Sequence, residues 1–163
     1  MKTLLLVRHA KSSWENFNVT DKERPLNERG IQNALEMARR LCDKKISIDA
    51  FLSSPAKRAR STAEFFASTF QVSAGKIIIV PELYIASMEA ILQAIQNAPE
   101  YASSIAVFSH NTGITDFANV LTSTHIDHMP TCAIFAVNCP ISHWKEFRTE
   151  KNEFFFFDYP KSQ

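Results

Sequence analysis

Short apolar runs and stretches with apolar residues at helical spacing take turns along this chain. The run at 3–8, TLLLVR, is too uniformly apolar to have one wet face, which predicts a strand central in a sheet. Residues 11–26 are polar and mixed, a connection long enough to suggest a functional loop. A helix is expected from Asn27, a good N-cap, to about Asp43. Ile31, Leu35, Ala38 and Leu41 form its apolar stripe, and Arg39 and Arg40 sit near its C-terminus, where the dipole favours cations. A second strand at 49–54 leads into a helix opened by Ser54 as cap and Pro55 at the first helical position. A third strand at 76–80 precedes a helix over 87–97, with Met88, Ile91, Leu92 and Ile95 on one face. A fourth strand at 104–110 runs into a helix over 112–122, and strands at 132–139 and 153–159 close the pattern. Phe154 to Phe157 read as a strand covered on both faces.

This alternation predicts an α/β three-layer sandwich: a mostly parallel central sheet of about six strands, flanked by helices. The last two strands lack an intervening helix and are expected to pair antiparallel. No repeat, low-complexity tract or Gly/Ser-rich linker interrupts the chain, so residues 1–163 are expected to form a single domain.

Composition narrows the function classes. The formal charge is +1 and the 18 basic residues are scattered, which argues against nucleic acid as a partner. The first apolar run stops at Arg8, short of the roughly 7–15 residues of a signal core. No stretch approaches the ~20 apolar residues of a membrane span, so neither export nor membrane insertion is expected. Cys42, Cys132 and Cys139 are an odd number without CxxC spacing. Cys42 and Cys132 read as buried small hydrophobes, which suits a reducing cytoplasm. Three glycines, Gly30, Gly75 and Gly113, leave no glycine-rich nucleotide loop.

In open α/β sheets, ligands collect beyond the carboxyl ends of the strands. There the first strand delivers Arg8 and His9, and the second Ser53, Ser54 and Pro55 with Arg58 one turn on. The third delivers Pro81 and Glu82, and the fourth Ser109, His110 and Asn111. Two guanidiniums beside two imidazoles repel cations but match the oxygens of a phosphate. Neighbouring cations disfavour imidazolium, so His9 is expected to stay neutral and able to attack phosphorus. The tract HIDHMPTC holds His125, His128 and Cys132, but HxxH without the rest of a ligand pattern predicts no metal. Trp14 in the first loop is expected at the rim of the pocket.

The motifs VRHAKSSW, RPLNERG, SSPAKRARSTA and VFSHNTGI, in this order, resemble the histidine phosphatase superfamily, with its phosphoglycerate-mutase-like fold. More narrowly they resemble the SixA-type phosphohistidine phosphatase branch, which the segment Pro130-Thr131 and Trp144 also fit. The resemblance implies His9 as nucleophile, Arg8 and Arg58 as phosphate-binding arginines, His110 as the late strand-end histidine, and Arg24 at the border of the site with Asn111 beside it. Glu82 lies in the region of the mutases' acidic proton donor. Ala10 stands where much of the superfamily has glycine. The activity implied is that of a cofactor-free, metal-independent phosphatase. It would work through a phosphohistidine on His9, acting on a phosphohistidine-bearing protein or a small phosphorylated metabolite. A small-molecule phosphomonoesterase and a non-catalytic phosphate- or phosphoprotein-binding module are the alternatives.

Overall fold

The structure, a computed structural model, describes residues 1–161. Six strands, β1 (Lys2–Arg8), β2 (Ala50–Ser53), β3 (Ile78–Ile79), β4 (Ser104–Ser109), β5 (Ile134–Cys139) and β6 (Glu153–Asp158), form one sheet in the order β3-β2-β4-β1-β5-β6. Strands β1 to β4 run parallel, while β5 is antiparallel to β1 and β6 to β5. Four helices accompany them: α1 (Glu28–Asp43), α2 (Lys57–Thr69), α3 (Met88–Gln96) and α4 (Gly113–Leu121).

The two-residue period of a strand builds the three layers. Leu4 and Leu6 point into a core shared with Ile91 and Ile95 of α3 and Phe117 of α4. Leu5 and Val7 point the other way, into a core with Ala34 and Met37 of α1 and Phe66 of α2. Both faces of β1 are therefore dry, as its uninterrupted apolar run requires.

Several expectations are corrected. Strand β6 borders only β5, so its phenylalanines are not covered on both faces: Phe154 and Phe155 are exposed and Phe156 and Phe157 half-buried. The α1 stripe is rotated. Gly30, Ala34, Met37, Ala38 and Leu41 are buried while Ile31 and Leu35 stay exposed, because the small residues allow close packing against α2 and the sheet. Cys42 lies on the outer side of α1 and is exposed, whereas Cys132 and Cys139 are buried. Met88 is likewise exposed on α3. Strand β3 shrinks to two exposed residues because Lys76 belongs to a 3-10 turn (Ala74–Lys76). Cys132 precedes β5 rather than opening it, and its φ of 62° turns its N–H toward the carbonyl oxygens of both Arg8 and His9, at 3.0 and 3.1 Å. Helix α2 begins at Lys57 with Ala56 as N-cap; Ser54 does not cap it but accepts from the Ala56 N–H at 3.2 Å. No helix among the described residues is long and apolar enough to cross a membrane.

One glycine holds the first loop in place. The Asn27 side chain caps α1 by accepting from Gly30 N–H at 2.8 Å, and Asn27 N–H donates to Lys11 O at 3.0 Å. A Cβ on Gly30 would stand 2.1 Å from Lys11 O, a backbone atom that cannot step aside. Gly30→Ala is expected to cost about 2–4 kcal/mol, read as a lowered urea midpoint.

Candidate active site

Parallel register decides which side chains meet. Arg8 pairs with Ser109 across β1 and β4, so the next residues, His9 and His110, leave the sheet side by side. Their ring centroids stand 5.1 Å apart. Ser53 pairs with Phe108, which brings Ser54 beside them, and α2 then supplies Arg58 one turn later. Arg8, His9, Arg58 and His110 line a cleft of about 270 Å³ together with Lys11, Ser12, Trp14, Arg24, Ile85, Asn111 and Thr131. Its lining holds four cations, Arg8, Lys11, Arg24 and Arg58, and no carboxylate.

The hydrogen bonds assign the His9 tautomer. His9 Nδ1 lies 2.7 Å from the Ala10 carbonyl oxygen, which can only accept, so the ring proton sits on Nδ1 and Nε2 keeps its lone pair. His110 Nε2 lies 2.7 Å from Ser54 Oγ. That hydroxyl also accepts from Ala56 N–H, and with one proton and two lone pairs it can serve either tautomer of His110. Three buried nitrogens, Arg8 Nε, Arg58 Nε and His110 Nδ1, have no protein partner. Buried donors are normally satisfied, so the two orphan guanidinium Nε–H groups, on residues lining one cleft, fit an oxyanion.

Ala10 is fully buried, and its N–H donates to Thr62 Oγ1 at 2.9 Å while Thr62 in turn donates to Arg58 O at 2.7 Å. The threonine of α2 thereby ties the loop after His9 to the turn that carries Arg58.

Both rings are held neutral. Burial first, then Arg58, Arg8 and Arg24, pulls His9 down to about 4, against an ordinary 6.5. Burial, then His9 and Arg58, takes His110 to about 3. The neighbouring cations act in the expected direction, but desolvation is the larger cause. The unfolded chain takes up protons on these rings from about pH 6.5 downward and the folded chain only near 4 and 3, so the stability of the neutral rings is fully present above 6.5 and lost as pH falls toward 4. The urea midpoint is expected to drop across that window, and less steeply in His9→Gln. An NMR titration of the His9 ring should give a midpoint near 4.

Asp21 was not foreseen. It lies in a 3-10 turn (Asp21–Glu23) of the first loop, and both terminal nitrogens of Arg58 bind it: Nη1 donates to its carbonyl at 2.6 Å and Nη2 to its carboxylate at 3.0 Å. The Tyr84 hydroxyl donates to the same carboxylate. Tyr84 and then Arg58 hold Asp21 ionised, its carboxyl down at about 2. Arg24 bonds the other carboxylate oxygen at 3.2 Å, donates to Ser12 Oγ, and lies 3.6 Å over the Trp14 ring. Trp14 is thus an exposed rim residue stacked on a buried arginine. The spacing of Asp21 to Arg24, one helical turn, was the available sequence signal; nothing local pointed to Tyr84.

Other expected residues fall unequally. Asn111 lines the cleft, donates to Met129 O at 3.1 Å and accepts from Thr115 Oγ1 at 2.6 Å. Arg8 Nη1 donates to Met129 O at 3.0 Å. Glu82 does not reach this cleft: its 3-10 turn (Pro81–Leu83) leaves it exposed, lining a separate depression with Leu52, Ile78 and Val80. The acid expected there is displaced by Tyr84 and Ile85, which the same turn sends toward His110. Among the described residues no group of three His, Cys, Asp or Glu side chains is arranged to hold a metal.

Residues 4–88 match the family model of the histidine phosphatase superfamily, branch 1. An uncharacterized chloroplastic protein of Arabidopsis thaliana is 29% identical over 153 residues, covering 89% of this chain and 70% of that protein. A structure from Agrobacterium tumefaciens named as a phosphohistidine phosphatase, SixA, superposes with a TM-score of 0.82 at 23% identity, covering 98% of this chain and 99% of that one. A protein histidine phosphatase SixA complexed with tungstate gives 0.80 at 21% identity, covering 96% of each chain.

Proposed function

The chain belongs to the histidine phosphatase superfamily, and on that premise we propose that it is a phosphatase that forms a covalent phosphohistidine on His9 and prefers phosphohistidine-bearing proteins. The observation that carries this reading is the neutral His9 ring, its proton held on Nδ1 by Ala10 O, in a cleft that it shares with the partnerless Nε–H groups of Arg8 and Arg58.

In the first step His9 Nε2 attacks phosphorus, forming an N–P bond as the substrate's bond to phosphorus breaks. The ring proton stays on Nδ1, hydrogen-bonded to Ala10 O, which disperses the charge that the ring acquires. Arg8, Arg58 and His110 bind the equatorial oxygens and stabilise the transition state. In the second step water attacks the phosphorus, the electron pair of the N–P bond returns to Nε2, and inorganic phosphate leaves.

The choice of substrate follows from what the cleft offers the leaving group. An alkoxide needs a proton from a positioned acid. Asp21, the carboxylate that borders the site, is held ionised at about 2, and Glu82 lies outside it. An imidazole whose far nitrogen is protonated departs as a neutral ring and needs no such acid. The mouth also suits a macromolecule: Trp14, Ile85 and, on the same loop as Trp14, Phe17 are exposed. The three unpaired cysteines fit a reducing compartment such as the cytoplasm.

The test incubates the protein with a phosphohistidine protein and a panel of phosphomonoesters and traps the acid-labile phosphoenzyme. Turnover of the phosphohistidine protein at least about a hundredfold faster, in kcat/KM, supports the reading. Faster hydrolysis of simple phosphoesters favours a small-molecule phosphomonoesterase.

A further inference from the structure

A second hollow, of about 240 Å³, opens beside the cleft and shares Lys11 and Thr131 with it. Its other walls are Arg29 and Asn33 of α1 and the segment Tyr159, Pro160 and Lys161 that follows β6. Three of its lining residues are cationic and none is acidic. Among the described residues neither Lys11 nor Arg29 has a carboxylate partner, and Asp158, the carboxylate next to this segment, is already bound by Arg40 at 3.1 Å.

The hollow is fixed to the same backbone as the nucleophile. Asn27 N–H and the close approach of Gly30 pin α1 to Lys11, and Ser13 N–H donates to Pro25 O at 2.8 Å. On the opposite wall the Pro130–Thr131 turn is tied to β1 through Cys132 N–H, which bonds Arg8 O and His9 O. Arg29 is therefore carried at a set position beside the cleft rather than on a free loop. The positive end of the α1 dipole lies on the same side.

We infer that this hollow is a second anion subsite, which takes a carboxylate side chain flanking the phosphohistidine of a protein substrate. The inference rests on the phosphohistidine reading above and adds a substrate preference to it. The phosphoryl group occupies the cleft, Lys11 stands between the two hollows, and Arg29 meets the neighbouring acidic residue. Exposed charges at this spacing act mainly by selecting partners and speeding encounter, which makes the preference sensitive to salt.

The experiment compares the full chain and Arg29→Glu on three substrates: phosphoramidate, a phosphohistidine peptide flanked by Asp and Glu, and the same peptide with Asn and Gln in their place. At low salt the wild type should favour the acidic peptide about tenfold in kcat/KM, and Arg29→Glu should erase or reverse that preference. Phosphoramidate, which has nothing to reach the hollow, should be turned over equally by both. Equal use of the two peptides by the wild type overturns the inference, and so does a preference that survives in Arg29→Glu. Failure to hydrolyse phosphoramidate and both peptides marks instead the failure of the phosphohistidine reading. Inhibition by phosphomonoesters with and without a second carboxylate then decides the hollow: a carboxylate advantage lost in Arg29→Glu keeps the anion subsite but assigns it to small molecules, overturning the protein-flank assignment, and equal inhibition overturns the subsite.

Discussion

Replacing His9 with glutamine is expected to lower kcat/KM by at least about 10⁴-fold, some 5.5 kcal/mol, and to abolish the acid-labile phosphoenzyme. The large figure follows from the role proposed for Nε2: without a nucleophile, water must attack unaided in a cleft that positions phosphate but not water. Glutamine keeps a polar side chain of similar reach at a position that is 7% exposed, so the fold should survive and circular dichroism should be unchanged. Arg8, Arg58 and His110 remain, so the variant should keep its affinity for inorganic phosphate, the product of the proposed reaction. Turnover within tenfold of wild type would remove His9 from the mechanism.

Arg58→Ala should cost about 10³-fold in kcat/KM, the range for removing a donor aimed at transition-state charge. Its Nε is one of the buried nitrogens without a protein partner, and its guanidinium also lowers the pKa of His9. Arg58→Lys should recover only part of the loss, because an ammonium cannot bind Asp21 with two nitrogens while presenting a third to the substrate. Arg58 anchors the first loop as well, and the two roles separate in Asp21→Asn. That variant loses the carboxylate but keeps the guanidinium, and it should lose about tenfold or less. A loss as large as that of Arg58→Ala would mean that Arg58 acts mainly as a strut for the loop.

How far the chain could be read without its fold differs from residue to residue. Strand β1 was legible because burial on both faces imposes a continuous apolar run, which few other elements show. The cluster of His9, Arg58 and His110 was legible because parallel strands deliver their carboxyl ends to one edge whatever lies between them. Strand β6 was misread because an aromatic run looks alike at the centre and at the edge of a sheet, and strand order is not a local property. The α1 stripe was misread for a related reason. Periodicity weights large residues, while close packing here selected Gly30 against the Lys11 backbone and Ala34 and Ala38 against the core.

The local sequence by itself determined the alternation of strands and helices, the motifs at the strand ends, and thereby the family. Those depend on periodicity, turn chemistry and side-chain type, all carried within a few residues. Only the tertiary structure decided that Asp21 and Tyr84 close around Arg58, that Glu82 faces another depression, and that the Ala10 carbonyl oxygen holds the Nδ1 proton of His9. It also brought Arg29 beside Lys11. These are hydrogen bonds and charge neighbours between segments distant in sequence or set by backbone turns. Arg8 and His9 at the end of β1 point to phosphate; the proton that the ring keeps is set by the backbone turn at Ala10, and the ring's neutrality by burial and the cations that the rest of the fold brings up.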